Sequence, residues 1–311
     1  MLDLVIEQRR RDLGGFEVGR VLPSAKRRMV GPFIFFDHMG PTEIPKGAPP
    51  RIDVRPHPHV CLSTITYLLE GEITHRDSLG VEQIIRPGEV NWMTAGRGIS
   101  HSERFEGLRQ RGGRLHGIQA WVALPKQHEE VLPEFQHVDQ QRLPLVDDKG
   151  WIARVIAGKA LGKTSPVTTY SPLFYLHVGL EAGASFTLPD TQPERAVYVA
   201  IGMVEYEGTL YAQGTMLVFR PDAKEIAVTA RAPTTMFVLG GEPVGERLIW
   251  WNFVASSQER IDRAKKDWKE GKIPLPRGDK KEFIPLPADP PAAKPPADKP
   301  ADKPPDPPPA S

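Results

Sequence analysis

The chain has 311 residues, 40% hydrophobic and 25% charged, with 40 Lys plus Arg against 39 Asp plus Glu. A net charge of +1 provides no bulk field for nucleic acid or an anionic membrane surface, which disfavours direct nucleic-acid binding. No stretch nears the ~18 uninterrupted apolar residues of a membrane span, no apolar run of signal-peptide length opens the chain, and one cysteine excludes an internal disulfide, so a cytoplasmic protein is expected.

In chain order, residues 1–30 read as an opening strand and hairpin around Gly14-Gly15, with Phe16, Val18 and Val21 as strand residues. Gly31-Pro32 and Gly40-Pro41 bracket an apolar strand ending in Asp37-His38-Met39. His38 reads as a hydrogen-bonded structural histidine rather than a ligand. Residues 41–56 hold five prolines and read as an irregular loop. His57-Pro58-His59 precedes the strand Val60 to Leu69, in which Cys61 is expected as an inert buried thiol. Turns at Gly71, Ser78-Leu79-Gly80 and Pro87-Gly88 then separate short strands. The run closes with Gly98-Ile99-Ser100-His101-Ser102-Glu103, and Leu115 to Leu124 is a further strand. Strands at this spacing predict an all-β sandwich or barrel of the jelly-roll kind.

Residues 125–150 are polar and punctuated by proline, and read as a connection. A second β-rich block follows from Trp151, with turns at Gly183, Gly202, Gly208, Gly214 and Gly240-Gly241. Laid over the first block, it places Leu188 and Asp190 at His57 and His59, and Ala227 and Thr229 at His101 and Glu103. It therefore reads as a copy with its site erased. Ser256 and Glu259 form a capping box for a helix with Ile261, Ala264 and Trp268 on one face and Gly271 at its end. From Ala288 the chain holds only Pro, Ala, Lys, Asp and a final Ser, and a disordered, polyproline-like tail is expected. The expected organisation is 1–135, the metal-bearing domain; 136–255, the domain without ligands; 256–287, helix and extension; and 288–311, tail.

The chemistry lies between His57 and Glu103. Residues i and i+2 of a strand face the same way, so His57-x-His59 and His101-x-Glu103 can each aim two donors at one point. Either pair alone is also found on exposed strands. Together they predict a site of three imidazoles and one carboxylate for iron, manganese, nickel, copper or zinc, with open coordination positions. His75 and His116 read as neighbours of the site or as exposed histidines. Trp92, Met93, Trp121, Phe33 and Phe35 are candidates for pocket walls, against the plainer alternative of barrel core.

The strings Gly31-Pro32-Phe33 to His38, His57-Pro58-His59, Thr66 to Gly71, Trp92-Met93-Thr94-Ala95-Gly96-Arg97-Gly98-Ile99-Ser100-His101-Ser102-Glu103 and Gly240-Gly241-Glu242-Pro243 resemble the pirin family of the cupin superfamily, over about residues 10–255. The resemblance implies two tandem cupin domains with metal in the first alone, held by His57, His59, His101 and Glu103. It further implies iron(II) as the usual metal. Two departures stand out. Ser63 occupies the position where the general cupin pattern has a Glu, which predicts a less acidic cavity. Ile249-Trp250-Trp251-Asn252-Phe253 replaces the usual Gly-Pro-Phe ending.

The resemblance implies one of two functions. The first is a quercetin 2,3-dioxygenase activity, opening a flavonol ring with dioxygen and releasing carbon monoxide, with Glu103 as general base towards the 3-hydroxyl. The alternative is a metal- or redox-dependent regulator that binds a protein partner, with residues 256–311 as the expected contact region.

Overall fold

A computed structural model describes residues 1–12 and 15–288. Gly14 and the tail from residue 289 lie outside the described residues. Strands dominate; α1 (Glu106–Arg111) and α2 (Gln258–Lys269) are the α-helices among the described residues. No described helix is long and apolar enough to cross a membrane.

The strands form two sandwiches, each a large antiparallel sheet over a four-stranded one. The first has a seven-stranded sheet centred on Phe33–Ile44, Gly113–Ala123 and Leu62–Glu70. Its small sheet holds Val54–His59, Ile99–Arg104, Ile73–Asp77 and Glu82–Ile85 in that order. The second has an eight-stranded sheet and a small sheet of Ser185–Thr187, Ala227–Ala230, Met203–Tyr206 and Thr209–Ala212. The connecting residues contribute to both: Glu134–Val138 pairs with Val90–Thr94, and Leu145–Asp148 with Trp151 to Arg154. The first strand, Leu2–Glu7, pairs with Thr215–Phe219 in the second sandwich.

The two large sheets pack against each other, so both of their faces are buried. That explains why Phe33 to Phe36 reads as a continuous apolar run rather than an alternation. Phe36 meets Tyr198 at 5.0 Å between ring centroids, in the core shared by the two sandwiches. Phe35, Asp37 and Met39 face the other way, into the first sandwich. His38 bears out its structural reading: Nδ1 lies 2.8 Å from Tyr198 Oη and Nε2 2.7 Å from His116 Nε2. His116 is buried between the sheets, not exposed.

Two local expectations need correction. The Phe33–Ile44 strand does not end at Gly40-Pro41; the ladder skips the proline, which has no N–H to donate, and resumes at Thr42↔Leu115. The cap of α2 is Ser257, whose hydroxyl accepts from Arg260 N, and not Ser256. Ser256 is occupied elsewhere: its N–H and hydroxyl both donate to the buried Glu129 carboxylate. Ile261, Ala264 and Trp268 are buried as their spacing predicts, against Val60, Cys61 and Phe253. Gly271 follows the helix at φ +68, the left-handed conformation that ends helices.

Candidate metal centre

The small sheet of the first sandwich brings His57, His59 and His101 together. Ile99–Arg104 lies between Val54–His59 and Ile73–Asp77, with His101 opposite His57 on one side and Asp77 on the other. A register shift between His101 and Glu103 sets Glu103 opposite Val54. Donor atoms of His57, His59 and His101 all lie within 4.8 Å of one another, and all three residues are buried. Glu103 lines the same cavity but does not belong to that cluster.

Hydrogen bonds behind the imidazoles fix their orientation. A carbonyl can only accept, so His57 Nδ1–H donates to Arg55 O at 2.9 Å and His59 Nδ1–H to Asn252 O at 3.1 Å. Both rings therefore offer an unprotonated Nε2 to the interior. His59 Nε2 stands 3.1 Å from His101 Nε2, about the separation of neighbouring ligands at 2.0–2.1 Å from one metal ion. His101 Nδ1 lies 3.3 Å from His75 Nδ1, and His75 Nε2 lies 3.1 Å from Asp77 Oδ2, so His75 stands behind a cluster member.

The electrostatics fit a cation. Burial lowers the His57 pKa to about 4 and holds His59 and His101 well below the ordinary value, and neighbouring imidazoles add to the effect on all three. The rings are thus neutral, with lone pairs available at pH 7. Burial raises the Glu103 carboxyl to about 7, opposed only by Thr66 Oγ1 at 3.5 Å. A half-buried carboxylate with no cationic side chain opposing that shift, beside three converging imidazoles, is the environment a divalent ion would stabilise.

The cluster opens on a cavity of about 400 Å3, within the range of small-molecule sites. Phe35 and Trp121 stack at 4.0 Å in its wall, and Trp121 meets His59 edge-on at 5.0 Å. Arg20 lies over Phe35 and makes a two-pronged ion pair with Asp37, both bonds 2.8 Å. Of the five wall candidates, Phe35 and Trp121 line the cavity, whereas Phe33, Trp92 and Met93 are core. Ser63 lies on the opposite face of its strand from Thr66 and bonds Thr94, so it has no bearing on the acidity of the cavity. Sequence reasoning missed Thr66, Gln119, Asn252 and Ile284. Trp251 and Asn252, which depart from the family's usual ending, lie at the cavity.

The second sandwich carries no such donors at its corresponding inward positions. Phe186, Leu188, Ile226 and Val228 fill its interior. Ala227 is exposed, so on that strand the overlay is one residue out of register, which turns a strand residue to the other face.

Two tandem jelly-roll sandwiches, one with an imidazole cluster and one packed solid, define a bicupin. The pirin profile matches residues 15–122 and that of the pirin C-terminal cupin domain residues 175–274. A pirin-like protein of Caulobacter vibrioides is 57% identical over 92% of this chain and 100% of its own length. A Pseudomonas aeruginosa protein provisionally named a quercetin 2,3-dioxygenase is 37% identical over 89% of this chain and 86% of its own. The crystal structure of an Acinetobacter baumannii quercetin 2,3-dioxygenase superposes with a TM-score of 0.85 at 32% identity, covering 94% of this chain and 97% of that one. The chain belongs to the pirin family.

Proposed function

We propose that this pirin is a metal-dependent dioxygenase of the quercetin 2,3-dioxygenase type. Its ligands are His57, His59, His101 and Glu103, and its metal is iron(II), with manganese, nickel, copper and zinc as alternatives that the donors accept. The observation that carries this reading is the imidazole cluster facing an aromatic-walled cavity that also holds the Glu103 carboxylate. The names borne by the Pseudomonas and Acinetobacter relatives support it. A bound ion would supply Lewis acidity and, if redox-active, a route for dioxygen to a flavonol. Glu103 takes the proton of the 3-hydroxyl, whose acidity a bound cation would raise. Phe35 and Trp121 receive the flat ring system. The hydrogen bonds to Arg55 O and Asn252 O hold His57 and His59 in the tautomer that binds. The buried, unpaired Cys61 suits a reducing, cytoplasmic setting.

The regulator reading has less support, because α2 and the described residues after it, 273–286, are packed on the metal-bearing sandwich instead of standing free. The test is oxygen uptake with quercetin by metal-loaded wild type and Glu103→Gln. Wild type is expected to exceed free metal, and the variant to lose on the order of 10²-fold. Wild-type uptake no greater than free metal sinks the proposal.

A further inference from the structure

The chain after α2 runs beyond the matched family profile, which ends at residue 274. It returns across the metal-bearing small sheet and is tied to the two strands that carry the imidazoles. Along Ile99–Arg104, His101 and Glu103 belong to the site, while the alternate residues Ser100 and Arg104 hold this segment. Ser100 Oγ donates to Pro274 O. Arg104, with a side chain only 8% exposed, bonds Asp279 through Nε at 2.7 Å and Nη2 at 2.8 Å, and Glu282 through Nη1 at 3.1 Å. Ile284 N donates to Pro56 O at 2.8 Å, next to His57, and Ile284 O accepts from Trp268 Nε1 at 3.1 Å.

Ile284 is thus held through its backbone on both sides, and its side chain lines the metal cavity. It is half-buried, whereas Phe105 and Trp121 on the same cavity are buried, which places it at the mouth. We propose that residues 273–286 form a fixed strap completing the metal pocket, and that Ile284 sets the breadth of the ring system admitted. Flat flavonol aglycones enter; flavonoids enlarged by a sugar do not. The proposal rests on the flavonol reading of the pocket. Because Ile284 itself is tethered through main-chain atoms, its side chain can be exchanged without releasing the strap.

The test uses metal-loaded full-length protein without oxygen, titrated calorimetrically with quercetin, the flavone lacking its 3-hydroxyl, and quercetin 7-O-glucoside. The parent is expected to bind quercetin and reject the glucoside. Ile284→Gly is expected to bind the glucoside at least about tenfold more tightly than the parent does, and Ile284→Trp to bind quercetin about tenfold more weakly, with metal content unchanged in both. Asp279→Ala, which loosens the strap, should shift the cut-off in the same direction as Ile284→Gly. An unchanged ratio of glucoside to quercetin affinity across these variants overturns the strap's role, even if flavonol turnover stands. Quercetin binding no tighter than the matched flavone overturns the dioxygenase reading while the size cut-off still reports on the strap. No binding by any probe in any variant overturns both.

Discussion

Trp251 adopts φ +53 in the two-residue turn between Leu248–Trp250 and Phe253–Ala255, a conformation that costs a bulky residue about 1–3 kcal/mol. The turn delivers the Asn252 carbonyl to His59 and the Trp251 ring to the cavity, so the strain lies where the site is built. Trp251→Gly is expected to recover about 1 kcal/mol of backbone strain, offsetting the lost ring contacts. Its denaturation midpoint should change little while quercetin binding weakens, and a loss of both together would contradict this account. At the residue scale the sequence was legible where chemistry and spacing coincide, as in His57-x-His59. It was not legible for Asn252, which reaches His59 from 193 positions away through a carbonyl that any residue could supply. Ser63 shows the same limit: alternation says which residues share a face, and not which face meets the cavity.

At the scale of elements, α2 buries Ile261, Ala264 and Trp268 over Val60 and Cys61, directly after His57-Pro58-His59. Burial pushes the Cys61 thiol up to about 12, in keeping with an inert packing role. Ser257→Ala removes the hydroxyl that caps Arg260 N and should cost about 1 kcal/mol, read as a lower denaturant midpoint at unchanged slope. Ser256→Ala would act differently, by stranding part of the Glu129 carboxylate. The apolar spacing located the helix well, because one face had to be buried. It could not choose between two adjacent serines, since the choice depends on a glutamate 127 residues earlier in the chain.

Across the whole molecule, the shared core holds neutral histidines. Burial lowers the His38 pKa to about 3, with His116 adding to the effect, and that of His177 to about 4, with Arg154 adding to it. The unfolded chain binds these protons near pH 6.5, so stability should be lost as pH falls from 6.5 towards 4. The loss is about 1.4 kcal/mol per imidazole for each pH unit below 6.5. Urea unfolding at pH 7 and pH 5 would show it, and His177→Gln should flatten the dependence; equal stability at both pH values would refute it. Two jelly-roll units could be read from the turn spacing, but their common core could not, since the pairing of sheets leaves no local mark. Nor could the pairing of Leu2–Glu7 with Thr215–Phe219. That pairing has a consequence for biosynthesis: once made, Leu2–Glu7 must wait about 200 residues, on the order of 10–40 s of translation, for its partner. During that interval Leu2–Glu7 stands as an unpaired apolar segment, and only its closure against Thr215–Phe219 completes the large sheet of the second sandwich.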